Sequence, residues 1–273
     1  MKQLPHHKWM LHIILIMSAF LVLVPFLWMF SISISATSSA FQRFAFFIPS
    51  VFSLEGYAHV LHTTPFFLWL GNSVFVAILL TTGQVIIGVF AAYAFSNYQF
   101  KGSQLLFYFV LCTMMVPPQA IMLPTFLVVN ELEWVNSFKG VIVPHLASGY
   151  AIFVLRQFFM QIPKDLVEAA VVDGAGHVKT LYHIYIRSSV SIVVGLFLIL
   201  FVNNWNDYYW PLIILMDESK LTLPVAIIQF RSESFIEWVP TMAAATLTII
   251  PVLILYMIGQ RYFTEGFIQS GIK

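Results

Sequence analysis

Six stretches of this chain contain no Lys, Arg, Asp or Glu, and each can form a membrane-spanning helix, alone or with its flanking residues. A helix needs about 20 consecutive apolar residues to cross roughly 30 Å of hydrocarbon. With 60% of its residues hydrophobic and only 9% charged, the chain lies outside the composition of soluble globular domains. The stretches are residues 9–42, 56–100, 102–130, 140–155, 188–206 and 238–260.

These stretches predict an all-α, polytopic membrane protein with six transmembrane helices, organised as a single transmembrane domain over residues 1–273. Only helices are expected, because lipid offers no partner for an unpaired backbone N–H or C=O group. Pro117, Pro118 and Pro124 predict a kink in the third helix, either purely structural or lining a pathway, since proline removes helical hydrogen bonds. The predicted spans are 10–34, 66–95, 104–128, 140–160, 188–212 and 240–260.

The first predicted helix also has features of a cleaved signal peptide, because Lys2 and Lys8 give it a basic start. The apolar run Trp9–Phe30 is 22 residues long, however, which exceeds the usual apolar region of a cleaved signal. We therefore expect a retained membrane span.

Lys and Arg are distributed unequally over the predicted connections. If the N-terminus is cytoplasmic, nine of the 13 basic residues fall on the cytoplasmic side and four fall outside. This distribution follows the positive-inside rule and predicts that both the N- and C-termini are cytoplasmic. Residues 161–187, between the fourth and fifth helices, then form a cytoplasmic loop.

Charge is concentrated around this loop. Of the 13 basic and 12 acidic residues of the chain, seven lie between Arg156 and Arg187. The run KDLVEAAVVD predicts a short helix whose first position is Pro163 and which ends at Gly174 and Gly176. Its small apolar residues, flanked by acids, favour docking into a groove on another protein. The alternative is a helix lying on the bilayer, which normally carries bulky apolar residues with Lys or Arg on its polar face.

The letters EAAVVDGA, followed by LYHIYI, resemble the EAA loop of binding-protein-dependent ABC importer permeases. The resemblance covers nearly the whole chain and is strongest to the carbohydrate-importer branch. Two prolines usually follow the loop in this family, whereas this chain has Arg187 and Ser191, which leaves the entry to the fifth helix undefined. Other segments that match in the family's order are NSVFVA (72–77), AAYAFSNYQFKG (91–102), PPQAIMLPTFLVV (117–129), AIFVLRQFF (151–159), WNDYYWPLIIL (205–215), LTLPVAI (221–227) and QRYFTEGFIQSGIK (260–273).

The resemblance implies a permease subunit of an ATP-driven importer in the bacterial inner membrane, forming half of the pathway for a sugar or sugar-derived solute. Its implied partners are a second homologous permease, a cytoplasmic ATPase dimer and an extracytoplasmic solute-binding protein. The ATPase dimer would bind the ATP, so no cofactor is expected in this chain. The implied ATPase-coupling residues are Glu168, Ala169, Ala170, Asp173, Gly174 and Ala175.

A second group of polar residues lies near the end of the fifth predicted helix. Amides and carboxylates are costly in hydrocarbon, so we expect them to face a cavity or a neighbouring helix. Asn and Trp together also suit a sugar site. The alternative is an aromatic belt at the membrane interface, formed by Trp205, Tyr208, Tyr209 and Trp210. The candidate translocation-path residues are Asn72, Asn203, Asn204, Asn206 and Asp207.

Other functions find little support in the sequence. It contains no G-x-x-x-x-G-K-[ST] phosphate loop, so the energy for transport is expected to come from a partner. The pairs His59/His62 and His177/His183 lack the acidic neighbours of a metal site, and no Ser–His–Asp arrangement is legible, so no enzyme and no metal are expected. No nucleic-acid partner is expected either. The main alternative is a stand-alone ion-coupled secondary transporter, which normally needs acids or bases buried in its spans; a membrane-embedded enzyme ranks below it.

Overall fold

The computed structural model describes residues 5–36, 48–49, 51–230 and 237–271. The structure is 81% helical, and the described residues contain no β-strand, only an isolated bridge between Ser35 and Phe52. The predicted all-α fold is therefore confirmed. The helices are α1 (Pro5–Ser33), α2 (Glu55–Thr63), α3 (Phe66–Asn97), α4 (Ser103–Met115), α5 (Pro118–Glu131), α6 (Phe138–Ile142), α7 (Gly149–Phe159), α8 (Lys164–Val172), α9 (His177–Thr180), α10 (Val190–Trp205), α11 (Tyr209–Ile214), α12 (Leu223–Ala226) and α13 (Trp238–Gly271).

Three helices are individually long and apolar enough to cross a membrane. They are the Trp9–Ser33 part of α1, the whole of α3, and the Trp238–Gln260 part of α13. Three pairs of shorter helices, each bent at a break, pass the same test together, so the described residues provide up to six crossings. The polytopic architecture agrees with the prediction. Helices α1 and α3 lie close to the predicted spans 10–34 and 66–95, whereas α13 continues to Gly271, beyond the predicted span 240–260.

The third predicted span, 104–128, is not a continuous helix. Its two halves, α4 and α5, meet at 102° across Val116 and Pro117. Pro118 begins α5, where its missing N–H costs nothing because N–H groups in the first turn have no intrahelical acceptor. Pro124 lies inside α5. The predicted kink is therefore a sharp break, and it falls at the paired prolines.

The fourth and fifth predicted spans are also bent. Phe138–His145 meets α7 at 40°, and His177–Ile186 meets α10 at 81°. The predicted span 188–212 is too long, because α10 ends at Trp205 and α11 begins separately at Tyr209. Asn and Asp side chains compete with the backbone for hydrogen bonds, which explains why the chain turns at Asn206 and Asp207.

The chain divides into two compact units, and the larger one consists of Leu68–Val225 with Pro251–Lys273. Gly88 lets α3 and α7 approach closely, since a Cβ at Gly88 would lie 3.1 Å from Cβ of Ala151 and 3.2 Å from Cδ1 of Leu155. The buried core of this unit comes from α3, α7, α10 and the segment that follows α9. Its members are Val85, Val89, Ala92, Tyr93, Ala151, Leu155, Phe159, Leu181, Tyr185, Leu196 and Leu200.

The smaller unit consists of Met1–Phe67 with Ala226–Ile250. Ile32 and Val239 form its small buried core. Gly56 of α2 lies directly against Val239, because a Cβ there would come within 2.7 Å of the Val239 Cγ1 atom. Most apolar side chains of α1 between Trp9 and Phe30 are exposed, as expected for a helix that faces lipid or another subunit.

Candidate functional site

The predicted helix in the loop 161–187 is present as α8, Lys164–Val172. The helix begins at Lys164, one residue later than the sequence predicts, and Pro163 stands directly before it. Asp165 lies in the first turn, where a negative charge stabilises the positive end of the helix dipole. The start of α8 is therefore set locally, by Pro163 directly before the helix and by the charge of Asp165.

Gly174 ends α8 in the left-handed region, with φ of 74°. The Gly174 N–H donates to the Val171 carbonyl at 3.0 Å, and the Ala175 N–H donates to the Ala170 carbonyl at 2.9 Å. These two bonds make a Schellman motif, which needs a residue that tolerates positive φ at this position. The expected role of Gly174 as a tight turn thus has a clear backbone basis.

No residue of α8 is buried in this chain. Glu168 and Ala169 are exposed, as is Asp173 directly after the helix, while Ala170 and Ala175 are half-buried. Val172 is 86% exposed. The outward surface of α8 is more apolar than the sequence suggests, since Leu166 and Val171 also point outward.

The chain enters α10 through a bend, which answers the question raised by Arg187 and Ser191. A single stretch of π-helix, Leu181–Ile186, leads to Ser189, and there the direction changes by 81°. Arg187 is exposed and Ser191 is half-buried. No proline is required for this turn.

A cavity of about 340 Å³ lies in the larger unit. It is built by α3, α5, α10, α11 and His145, so its walls come from distant parts of the sequence. Three of the predicted path residues, Asn203, Asn204 and Asp207, line it. The full lining is Leu80, Gln84, Pro118, Gln119, Ile121, Met122, Thr125, His145, Asn203, Asn204, Asp207, Tyr209 and Trp210.

Asn204 is held rigidly by α3. Its Nδ2 donates to Oγ1 of Thr81 at 2.9 Å and to Oε1 of Gln84 at 3.0 Å. Gln84 Nε2 in turn donates to the carbonyl of His145 at 2.9 Å. This chain of amides connects α10, α3 and the turn at His145, and it satisfies polar groups that would otherwise be costly within a membrane span.

His145 has one polar atom left over at the cavity. Its Nε2 atom is buried and has no hydrogen-bond partner among the described residues. The imidazole packs edge-on against Trp210, with 5.2 Å between ring centroids, and Trp210 Nε1 donates to the carbonyl of Gly140 at 3.1 Å. His145 therefore places a buried, unpartnered nitrogen next to a fixed aromatic ring.

The other two predicted path residues lie elsewhere. Asn206, directly after α10, donates to the Val202 carbonyl of that helix and does not line the cavity. Asn72 is buried and donates to the carbonyls of Ser219 and Leu221, both at 2.9 Å. In this structure Asn72 holds the segment before α12 against α3.

Asn136 ties the same segment from another side. Its Oδ1 accepts from the N–H groups of Met216 and Asp217, and its Nδ2 donates to Oδ2 of Asp217 at 2.6 Å. Lys220 lies 3.1 Å from the same carboxylate. Together, the Asn136 amide and then Lys220 hold the pKa of Asp217 below its ordinary value.

The aromatic residues of the polar run do not form a belt. Trp205 and Trp210 are buried, at 2% and 4% exposure, whereas Tyr209 is 60% exposed. Sequence reasoning missed Gln84 and His145 as cavity residues. Gln84 carried a signal, because an amide in the middle of an apolar span has to find a partner or face a cavity. His145 carried none, since its position depends on the bend before α7.

The site residues do not suggest a metal. Across the parts of the chain that the structure describes, no three His, Cys, Asp or Glu side chains lie close enough together to hold one. Cys112 is exposed and carries a free thiol.

An all-α chain with bent helix pairs that can cross a membrane, a cavity lined partly by amides and an exposed short helix is typical of membrane permeases. Residues 84–269 match the family described as the inner membrane component of binding-protein-dependent transport systems. The chain belongs to this family. This confirms the resemblance drawn from the EAAVVDGA segment.

Relatives and one solved structure agree with this assignment. The chain is 34% identical over 267 residues, covering 95% of each protein, to the sn-glycerol-3-phosphate transport system permease protein UgpE of Yersinia pestis bv. Antiqua (strain Antiqua). It is 28% identical to the arabinooligosaccharides transport system permease protein AraQ of Halalkalibacterium halodurans, covering 100% of this chain and 99% of the other. A bacterial ABC transporter involved in the import of the acidic polysaccharide alginate has the same fold, with a TM-score of 0.84 at 24% identity, covering 96% of this chain and 98% of that one.

The protein is therefore a permease subunit of a binding-protein-dependent ABC importer. Proteins of this family are transport subunits and not enzymes. It is an inner membrane component, and it works in a complex with an ATPase and a solute-binding protein.

Proposed function

We propose that this chain forms one half of a translocation pathway for a sugar or sugar-derived solute, and that a second homologous permease forms the other half. The similarity to permeases named for glycerol phosphate and for arabinooligosaccharides supports a polyhydroxylated solute. The cavity between α3, α5 and α10 supports a pathway role for Asn203, Asn204 and Asp207. An external binding protein delivers the solute, and alternating access carries it across.

The observation that carries this proposal is the exposed helix α8. A helix with no buried residue, an outward Glu168 and outward apolar side chains needs a partner to cover it. We assign that partner as the cytoplasmic ATPase dimer, with Glu168, Ala169 and Ala170 on the docking face. Asp173, Gly174 and Ala175 form the turn that sets the angle of the helix.

The lining of the cavity favours an uncharged solute over a phosphorylated one. Among its described residues, Asp207 is the one carboxylate and no Lys or Arg is present. Phosphate recognition normally uses Arg, Lys or clustered backbone N–H groups. Amide groups and a fixed aromatic ring suit the hydroxyls and the apolar face of a sugar ring. We therefore place the solute nearer to an oligosaccharide than to glycerol phosphate.

The orientation that we propose has both termini in the cytoplasm, supported by the excess of Lys and Arg on that side. Segment 161–187 then faces the ATPase. Closure of the ATPase dimer on ATP would push α8, and the spans would move as rigid bodies to switch the cavity between its two openings.

The first test is to purify the complex in mild detergent and to identify its subunits by mass spectrometry. We expect a second six-span permease and a nucleotide-binding ATPase to co-purify. Uptake assays with uncharged oligosaccharides and with glycerol phosphate then separate the two solute classes. A lone chain with no ATPase, after mild crosslinking, would instead favour an ion-coupled secondary transporter.

The second test is Glu168→Ala, with Glu131→Ala at the exposed end of α5 as the matched control. Truncating a charged group in a protein interface costs about 2 kcal/mol or more, so uptake should fall at least about tenfold. The control should transport normally. Unchanged uptake in Glu168→Ala would disprove the docking role of α8.

A further inference from the structure

A compact group of polar and aromatic side chains joins the end of α3 to the segment that follows α8. We define this tyrosine cluster as Tyr93 and Asn97 at the end of α3 and Tyr98 directly after it, with His177 and Tyr185 from the returning segment. Tyr185 lies in the LYHIYI part of the EAA loop, but none of the five residues is in the EAAVVDGA segment or lines the cavity.

Three short hydrogen bonds lie within the cluster, and two of them join the end of α3 to the returning segment. The Tyr185 hydroxyl donates to Oδ1 of Asn97 at 3.0 Å, and Nδ2 of Asn97 donates to the Tyr93 hydroxyl at 3.3 Å. The Tyr98 hydroxyl lies 2.8 Å from Nδ1 of His177 in hydrogen-bonding geometry. The amide of Asn97 therefore connects two tyrosines that approach from different helices.

The rings of the cluster also interlock. Tyr93 and Tyr185 meet edge to face with 4.9 Å between centroids, and Phe159 of α7 meets Tyr185 at 5.1 Å. Tyr93 and Tyr185 are 6% and 4% exposed. Hydroxyls buried at this depth must remain paired, because leaving them unpaired is costly. The contact therefore has one favoured register and resists sliding.

Helix α3 extends from this cluster to the cavity without a break. Tyr93 and Thr81 are 12 positions apart on the same helix, which corresponds to about 18 Å along its axis. Thr81 and Gln84 are the groups that accept the two hydrogen bonds of Asn204. A rigid displacement of the end of α3 would therefore also move Thr81 and Gln84 at the wall of the cavity.

We propose that the tyrosine cluster is a mechanical link that passes movement of α8 to α3, and through α3 to Asn204 and the cavity. The proposal rests on the docking of α8 to the ATPase proposed above. Its members are positioning residues, since none of them touches the solute or the nucleotide. The side chain of Tyr185 is the central one, because it combines a hydrogen bond to Asn97 with ring contacts to Tyr93 and Phe159.

The test uses Tyr185→Phe and Asn97→Leu in the full importer complex reconstituted in proteoliposomes. Tyr108→Phe is the matched control, because the Tyr108 hydroxyl accepts a bond from Gln104 on the exposed surface of α4. The measured quantities are complex yield, ATP hydrolysis without solute, its stimulation by loaded binding protein, and solute transported per ATP hydrolysed.

We expect both variants to assemble and to hydrolyse ATP without solute at nearly the normal rate. The solute transported per ATP should fall roughly fivefold in Tyr185→Phe, the change that corresponds to the loss of one hydrogen bond, and further in Asn97→Leu, which removes two. Tyr108→Phe should match the natural chain. An unchanged ratio in both variants would overturn the proposal, and so would a loss of assembly, ATP hydrolysis and transport in parallel, which indicates a purely structural role.

Two combinations of results distinguish the mechanical link from the docking of α8. If Glu168→Ala abolishes uptake while the cluster variants transport normally, docking stands and the link is wrong. If Glu168→Ala has no effect, docking is wrong, and the link is then overturned with it.

Discussion

The exposed helix α8 and the cavity are built in opposite ways. Helix α8 and its turn come from one continuous segment, and their key bonds are local backbone bonds around Gly174. The cavity comes from five separate segments, and Asn204 reaches Thr81 across 123 positions of sequence. One region is therefore specified by a motif, and the other by the assembled fold.

This difference separates function from stability. Substitutions on the surface of α8 should damage partner docking while the chain remains folded, because no side chain there is buried. Substitutions of Asn204 or Gln84 should damage folding and transport together, since these amides line the cavity and also hold α3 to α10. The following substitutions test that separation.

Asn204→Leu should have the largest effect on stability. The substitution removes two hydrogen bonds and leaves buried groups of Thr81 and Gln84 unpaired, which costs about 2 to 3 kcal/mol in total. Thermal unfolding of the purified complex and solute uptake should both show the loss.

Asn203→Leu is the matched control, because Asn203 lines the same cavity but is exposed. We expect it to leave the unfolding temperature almost unchanged. If the two variants were equally stable, the cavity would not depend on long-range amide bonds, and the contrast with α8 would disappear.

Gly174→Ala should have an intermediate effect on stability and a large one on transport. Nothing lies within 4 Å of a Cβ at Gly174, so the cost is the backbone strain of positive φ, about 1 to 2 kcal/mol. That strain acts on the turn that sets the angle of α8, so uptake should fall.

Gly102→Ala provides an equal backbone strain at another turn. Gly102 has φ of 86° and equally open surroundings, but it lies between α3 and α4. We expect similar unfolding temperatures for the two variants and normal uptake for Gly102→Ala. Equal uptake defects would mean that strain alone, and not the docking of α8, explains the loss.

The same contrast explains what could be predicted from sequence. The charge-free windows predict an all-α membrane protein, since helix formation in lipid and membrane insertion both depend on composition over about 20 residues. The helix α8 and its glycine turn follow from nearest neighbours, so they too could be located to within one residue. Asn203, Asn204 and Asp207 were found as a polar run that lipid cannot accommodate.

The remaining features depend on geometry that sequence patterns do not contain. The bend of 102° at Pro117 brings α5 to the cavity, and proline predicts a kink without predicting its angle. His145 reaches the cavity because of the bend before α7. The role of Asn72 depends on the carbonyls of Ser219 and Leu221, far away in sequence.

The smallest predicted effect concerns Asp217, in the segment before α12 that Asn136 holds. Like the cavity, this segment is fixed by polar bonds between residues far apart in sequence, but it is exposed. Asn136 and Lys220 favour the charged form of Asp217, so the pKa of this carboxyl is lower in the folded protein than in the unfolded chain. The stabilisation is therefore present above the unfolded pKa of about 4 and is lost as the pH falls through the folded value.

Because the group is exposed, solvent weakens the interaction, and Asp217→Asn should lower the unfolding temperature only slightly near neutral pH. Unfolding temperatures of the natural chain and the variant, followed down in pH, should converge in acid. A difference that persists unchanged below the folded pKa would show that the segment is held by the shape of the Asn136 turn and not by the charge of Asp217.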